Sequence, residues 1–245
     1  MINYIKIKKI FPSIYKFIVL ILIIISCDGS GDVVLNVGSS GVNSDFSTNG
    51  ESGTGIGGSM ARFTIVGDYL YTVDSWDLNT FDISDQINPE FKSKVGLGWG
   101  VETIFPYDNR LFIGAQNGMH IYDLEDKVEP EWISTYEHIT SCDPVVVQGD
   151  FAFVTLRGGT ECQSFNNQLD IIDISKISEP TLFKSYSMIN PHGLGIDGDC
   201  LFITEGEYGL KMYDISNLNE IELTKHFQDI SSIDVIPFMG ILMMI

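Results

Sequence analysis

Short runs of alternating apolar and polar residues dominate the chain from Met60 onward. The runs are rich in Ile, Val, Phe, Tyr and Thr, and clusters of Gly, Asn and Asp separate them. Alternation with a period of two is typical of strands that bury one sheet face, and no helical period is sustained. The pattern therefore predicts an all-β domain over residues 60–245.

One arrangement of strands recurs four times and determines the predicted architecture. The runs DYLYTV, NRLFIG, DFAFVT and DCLFIT are spaced by 41, 41 and 49 residues, and the strand after each ends on an aspartate. Four strands in about 41 residues match a β-propeller blade, so we predict a propeller of four-stranded antiparallel blades. The strand-ending aspartates are Asp82, Asp123, Asp173 and Asp214. We expect them to bond turn amides rather than to take part in chemistry, because one residue repeated in every blade rarely makes a single site.

The predicted ring of blades is incomplete. Blades fall near 60–100, 101–141, 142–190 and 191–231, and a partial copy covers 232–245. The partial copy ends within its second strand, so we expect exposed apolar faces and strand edges that favour self-association. The alternative is a short propeller in which the last segment closes four blades.

An apolar run near the N terminus predicts export. Residues 1–26 contain four lysines and no acid, and the apolar run FIVLILIII ends just before Ser26 and Cys27. An apolar core shorter than about 20 residues behind a positive segment is typical of a secretory signal peptide, with an anchor helix as the alternative. The segment IISC resembles the lipobox of bacterial lipoproteins, which implies that Cys27 carries a lipid. Residues 27–59 would then be the lipidated cysteine and a flexible Gly/Ser-rich tether.

Four segments resemble a known repeat family. LDIID, LKMYD, RGGTEC and NPHGLGIDG begin at Leu169, Leu210, Arg157 and Asn190. They are similar to the LVIVD-repeat bacterial lipoproteins, predicted β-propellers mostly of uncharacterised function. The resemblance implies a propeller anchored in the cell envelope, at the outer membrane or cell surface. It supplies no catalytic residue.

The charge of the chain excludes one class of partner. The sequence carries 14 basic and 33 acidic residues, and removing the four lysines of the signal peptide leaves a net charge of −23. Nucleic acid binding requires a positive surface that releases counterions, so we exclude it. Cations or basic partners remain compatible with this charge.

A binding face follows from propeller topology. The first strand of a blade runs away from one face and the second returns, so the starts of inner strands share that face with the loops between second and third strands. The long insertion at 158–168 lies in such a loop. The residues at the starts of the inner strands, which form the candidate binding face, are Arg62, Glu102, Asp143, His192 and Asp234.

Sequence motifs for catalysis or cofactors are weak. The four histidines lack zinc-site spacing, no G-x-S-x-G motif occurs, and no calcium loop is complete, so we predict no cofactor or metal, with weak calcium binding at the acidic turns as the alternative. His192 fits a structural role at a strand start better than a role as ligand or base. The leading hypothesis is a lipid-anchored binding or scaffolding module for a protein or glycan. The alternative is a propeller hydrolase or lyase acting on polysaccharide, with Glu102 and Asp143 as its acid pair.

The cysteines suggest one disulfide. Cys142 and Cys162 lie on the same face of the third blade by the topology argument, and export gives an oxidising compartment. We predict a bond between them, with two independent packed thiols as the alternative. Cys200 lies within a strand and is predicted to be a buried free thiol.

Overall fold

The computed structural model describes residues 58–137, 144–158, 167–238 and 240–245, together with the backbone of two strands nearer the N terminus. Every regular element in this part of the chain is a β-strand, which confirms the all-β prediction. Over the same residues, no helix has the length and apolar character needed to cross a membrane.

Among the described residues, five antiparallel sheets of four strands form the domain, and the first four sheets each use consecutive strands in chain order. This is the topology of propeller blades. Blades 1 to 4 contain β3–β6, β7–β10, β11–β14 and β15–β18, and blade 5 contains β19, β20, β1 and β2. The strands are β1 (Asn3–Ile7), β2 (Val33–Leu35), β3 (Phe63–Val66), β4 (Tyr69–Val73), β5 (Asp77–Asp82), β6 (Glu90–Gly96), β7 (Val101–Tyr107), β8 (Arg110–Ala115), β9 (Gly118–Asp123), β10 (Glu131–Glu137), β11 (Val145–Gln148), β12 (Phe151–Leu156), β13 (Gln168–Asp173), β14 (Thr181–Ser187), β15 (Leu194–Asp197), β16 (Cys200–Thr204), β17 (Leu210–Asp214), β18 (Glu222–Phe227), β19 (Val235–Phe238) and β20 (Ile241–Met244).

Two-residue turns join the first and second strands of blades 1 to 4. In blade 2, Asp108 and Asn109 have φ values of 44° and 54°, as a type I′ turn requires. In blades 1, 3 and 4 the first turn residue is Gly67, Gly149 or Gly198, each with φ near 60°. Glycine adopts this conformation without a steric cost, so these short sequence signals determine where each blade begins its hairpin.

The strand-ending aspartates perform the same structural task in every blade. Each carboxylate accepts a hydrogen bond from the amide two residues later. The hydrogen bonds from serine hold the pKa of Asp82, Asp173 and Asp214 below the usual range. The prediction that these aspartates bond turn amides is therefore confirmed.

Packing between blades uses both faces of the middle sheets. Along β8, Leu111 and Ile113 pack with blade 1, whereas Phe112 between them packs with blade 3. Along β16, Leu201 packs with blade 3 and Phe202 with blade 5. The expectation of one buried face per sheet is wrong for these blades, because each middle sheet has an apolar neighbour on both sides. In β20, which belongs to blade 5, partly buried and buried residues alternate along the strand.

Side-chain hydroxyl groups link neighbouring blades by hydrogen bonds to carbonyl oxygens at equivalent positions. In each case the acceptor is the carbonyl four residues after a strand-ending aspartate, and the donor belongs to the preceding blade. The pairs are Tyr71 Oη to Lys127 O (2.7 Å), Ser134 Oγ to Ile177 O (2.6 Å) and Tyr186 Oη to Leu218 O (2.8 Å).

The fifth sheet differs from the open partial blade expected from the sequence. Its two C-terminal strands, β19 and β20, pair as expected. β1 then pairs with β20, placing Ile5 opposite Leu242, and β2 pairs with β1. The edge of β20 is therefore covered, because its unpaired backbone groups accept another strand regardless of where that strand lies in the chain. The remainder of the expected signal peptide, Cys27 and most of the tether lie outside the described residues.

The segment before β3 is packed against blades 4 and 5, although the sequence analysis assigned it to the tether. Ser59 is fully buried. Its hydroxyl donates to Asp234 Oδ1 at 3.1 Å and accepts from the Leu194 amide at 2.8 Å. The Val235 amide also donates to Asp234 Oδ1, at 2.9 Å. Burial nevertheless raises the pKa of Asp234. These contacts join the start of blade 1 to the two C-terminal blades.

Cys200 is half-buried and disulfide-bonded, so the prediction of a buried free thiol is wrong. It is the first residue of β16, next to a turn, and packs partly buried against the apolar cluster between blades 4 and 5. Its partner lies outside the described residues, as do Cys142 and Cys162, and the bond between those two stays a prediction. Within this chain the possible partners are Cys27, Cys142 and Cys162. Because a sulfur forms one disulfide, the Cys200 bond excludes either the Cys142–Cys162 bond or lipidation of Cys27.

We expect Gly193→Ala to destabilise the contact between blades 4 and 5. A Cβ at this position would lie 2.1 Å from Asp234 Oδ1 and 2.8 Å from Asp234 Cα. Because that backbone cannot yield without moving β19, the free energy of unfolding should fall by about 1–3 kcal/mol. Gly96→Ala is the control, since nothing lies within 4 Å of its Cβ position, and its change should stay within about 0.5 kcal/mol. Urea denaturation measures both variants, and equal losses would contradict this account.

Candidate functional site

A cavity of about 430 Å³ lies on the face where the inner strands begin. This volume is within the range of about 300–1,000 Å³ that is usual for small-ligand sites. The topology argument is confirmed here, because strand starts and loops between second and third strands line the same cavity. Its lining includes the side chains of Arg62, Trp99, Glu102, Gln116, Arg157 and His192.

Three of the five predicted face residues meet at this cavity. Arg62 precedes β3, Glu102 lies in β7 and His192 precedes β15, so three different blades contribute them. Asp143 lies outside the described residues. Asp234 is buried beneath the face, so its prediction as a face residue is wrong. Its carboxylate accepts a hydrogen bond from Ser59 and is shielded from solvent.

Sequence reasoning missed three lining residues. Gln116 and Arg157 follow the second strands of blades 2 and 3, and Trp99 immediately precedes the inner strand of blade 2. The topology rule already placed those loops on the face. The prediction named residues only at the strand starts. The same rule, taken to the loops, identifies Gln116 and Arg157 as well.

His192 is held by both its backbone and its ring. Its amide donates to Thr204 O at 2.8 Å, and its carbonyl accepts from Thr155 Oγ1 at 2.6 Å. Arg157 Nη1 lies 3.1 Å from Nδ1 and 3.2 Å from Nε2 of the ring, and Asn190 Nδ2 lies 3.2 Å from Nε2. Burial and the neighbouring guanidinium lower the pKa of His192. Both effects favour the neutral form of the imidazole.

Two glycines with positive φ values present Trp99 to solvent at the cavity. Gly98 and Gly100, on either side of it, have φ values of 95° and 86°, which residues with a side chain rarely adopt. The Gly100 amide donates to Ser75 O at 3.0 Å, which fixes this bend against blade 1. Trp99 is 62% exposed beside the other lining residues.

The acidic and basic groups of the cavity are positioned by local contacts. Gln116 Nε2 donates to Glu102 Oε1 at 3.2 Å, and Arg62 Nη2 donates to Val101 O at 2.8 Å. Both contacts tie side chains to the start of β7. The cavity therefore presents charged groups whose positions are set by the propeller framework.

A buried ion pair lies close to His192. Glu205 is fully buried, its Oε2 lies 2.5 Å from Lys211 Nζ, and its Oε1 accepts from the Ile189 amide at 2.9 Å. The negative charge of Glu205 opposes the lowering of the His192 pKa. This pair connects the loop after β16 with β17 beneath the site.

Lys211→Met should strongly destabilise the protein. The variant leaves the Glu205 carboxylate buried without its cation, so we expect a loss of about 3–5 kcal/mol in unfolding free energy. Lys176→Met is the control, because its pair with Glu179 is 71% and 66% exposed, and exposed pairs contribute about 0–1 kcal/mol. Chemical denaturation compares the two, and a similar small loss in both would show that the buried pair contributes little.

The described residues contain no group of three or more His, Cys, Asp or Glu side chains placed to hold a metal ion. The acid pair of the alternative hypothesis has one member, Asp143, outside these residues. Its separation from Glu102 is thus not described.

A family model for the LVIVD repeat matches residues 57–96 and 141–188. The match confirms the LVIVD-repeat part of the resemblance, and the two matched segments correspond to blades 1 and 3. The LVIVD repeat is associated with β-propeller folds, in agreement with the sheets described above.

Solved structures share this fold at low sequence identity. A functionally unknown protein from Desulfotomaculum acetoxidans DSM 771 superposes with a TM-score of 0.53 at 12% identity, over 65% of this chain and 52% of that one. A Lactobacillus plantarum protein superposes with a TM-score of 0.52 at 14% identity, over 65% and 54%. This chain spans about half the length of those proteins. Among curated proteins, none matches the sequence.

Proposed function

We propose that this chain is a lipid-anchored protein of the bacterial envelope whose propeller binds a protein or glycan at the cavity lined by Arg62, Glu102 and His192. The observation that supports this is the convergence of polar and aromatic side chains from different blades on one ligand-sized cavity. Repeat architectures commonly use such a shared face for binding.

The described cavity lining supplies charged, amide and aromatic groups suited to binding a ligand. Glycoside hydrolysis generally requires two carboxyl groups about 5–10 Å apart. Among the described lining residues, Glu102 alone carries a carboxylate, and it accepts a hydrogen bond from Gln116. No observation on the described residues favours the hydrolase or lyase alternative.

Trp99→Ala should weaken ligand binding if the cavity is the site. Exposed indoles at binding faces often contribute 2 kcal/mol or more, so we expect a loss on the order of 30-fold in affinity. Trp132→Ala is the matched control, because Trp132 is 60% exposed but lies on the outer strand β10. A glycan array and a panel of purified envelope proteins would provide ligands, and titration of each hit with both variants measures the effect. Equal effects of the two substitutions would contradict the assignment of the cavity.

The proposed anchor has a direct test. The apolar run ends at a small residue before Cys27, which is the lipobox arrangement. Radiolabelled palmitate should be incorporated by the wild-type chain and lost by Cys27→Ala. Cys200→Ala controls for loss of another cysteine and should retain the label. Equal labelling of wild type and Cys27→Ala would overturn the anchor without affecting the cavity.

A further inference from the structure

The arginines of this chain are few and unevenly placed. The sequence contains three, Arg62, Arg110 and Arg157, within a chain of net charge −19. Two of the three line the cavity, whereas Arg110 is partnered with Asp108 at the turn between β7 and β8. The cavity therefore concentrates the group best suited to bind planar oxyanions in a protein whose overall charge repels them.

Basic side chains outnumber acidic ones in the described cavity lining. Arg62 and Arg157 are its two arginines, and Glu102 is its one acidic residue. Burial and the Arg157 guanidinium lower the pKa of His192, which favours the neutral ring. Two guanidinium groups at one cavity suit an anionic ligand, because each can donate several charge-assisted hydrogen bonds.

We propose that this cavity binds a carboxylate-bearing saccharide, with the guanidinium groups of Arg62 and Arg157 binding the carboxylate and Trp99 contacting the sugar ring. The inference rests on the proposed function and specifies its ligand. A guanidinium presents five N–H donors in a planar fork that fits a carboxylate.

The remaining lining groups suit a saccharide as the carrier of the anionic group. Glu102 and Gln116 supply an acceptor and an amide within one hydrogen-bonded pair, and such groups match sugar hydroxyls. The exposed indole of Trp99 offers a flat apolar surface to the less polar face of a sugar ring.

The net charge of the protein makes the test specific. A chain of net charge −19 repels acidic polymers in general, so acidic saccharide binding cannot result from nonspecific attraction. The full chain, purified in detergent, is screened on an array of uronic-acid, sialic-acid, phosphorylated and neutral oligosaccharides. Calorimetry then compares the best acidic binder with the same oligosaccharide after reduction of its carboxyl groups to alcohols.

Substitutions compare the two arginines that line the cavity with Arg110, which does not line it. Arg62→Gln and Arg157→Gln should each lower the affinity for the acidic oligosaccharide roughly 10-fold to 100-fold, because each removes a charged hydrogen-bonding partner. Arg110→Gln changes the net charge equally and should leave affinity within about twofold. Thermal melts establish that each variant is folded. The comparison of acid and reduced ligand on the wild-type chain does not depend on the variants.

Each outcome decides the inference. At least tenfold tighter binding of the acid than of its reduced form, lost in both cavity variants, supports it. Equal binding of the two forms, with sensitivity to Trp99→Ala, overturns the carboxylate but leaves the cavity as a binding site. Tighter binding of phosphorylated saccharides, or binding of proteins but of no saccharide, overturns the inference alone. Ligands whose binding is unaffected by any cavity substitution overturn the proposed function as well.

Discussion

No blade of this propeller can bury its apolar faces alone, and the rest of the structure depends on that constraint. A four-stranded sheet has two faces, and in the middle blades both are apolar. Leu111 and Phe112 are adjacent in one strand yet pack against different neighbouring blades. Each sheet is therefore stable only as part of the stack, as expected for repeat proteins. The turns and strand-ending aspartates make the sheets, whereas contacts between sheets stabilise the domain.

The same stacking creates the candidate site. Because every blade starts its inner strand on one face, stacking brings together side chains that are far apart in the sequence. Arg62 and His192 line one cavity although 130 residues separate them. Repeated backbone contacts hold this arrangement, and irregular features such as the bend around Trp99 give the face its individual chemistry. A regular framework therefore carries a site that has no internal repeat.

Electrostatics differ between the whole molecule and this face. Overall composition excludes nucleic acid and is compatible with cations or basic partners. The described cavity lining instead contains two arginines and a neutral histidine next to one carboxylate. Coulomb interactions act most strongly at short range and in partly desolvated sites, so the local arrangement rather than the total charge determines what the cavity accepts.

The sequence alone determined the features that rest on local physics. Short runs rich in Ile, Val, Phe, Tyr and Thr defined the strands, turn glycines and the Asp108–Asn109 pair defined the hairpins, and the recurring aspartates defined the repeat. These signals act within one hairpin or one blade, so they can be identified without knowing what lies beside them.

Only the tertiary structure decided the features that arise between blades. It placed Asp234 under the face, because Ser59 reaches it from the far end of the repeat array. It brought Arg157 to His192 and covered the edge of β20 with Asn3–Ile7. Apolar alternation shows that a face is buried but not against which neighbour, and nothing local to a residue records the side chains that stacking places beside it.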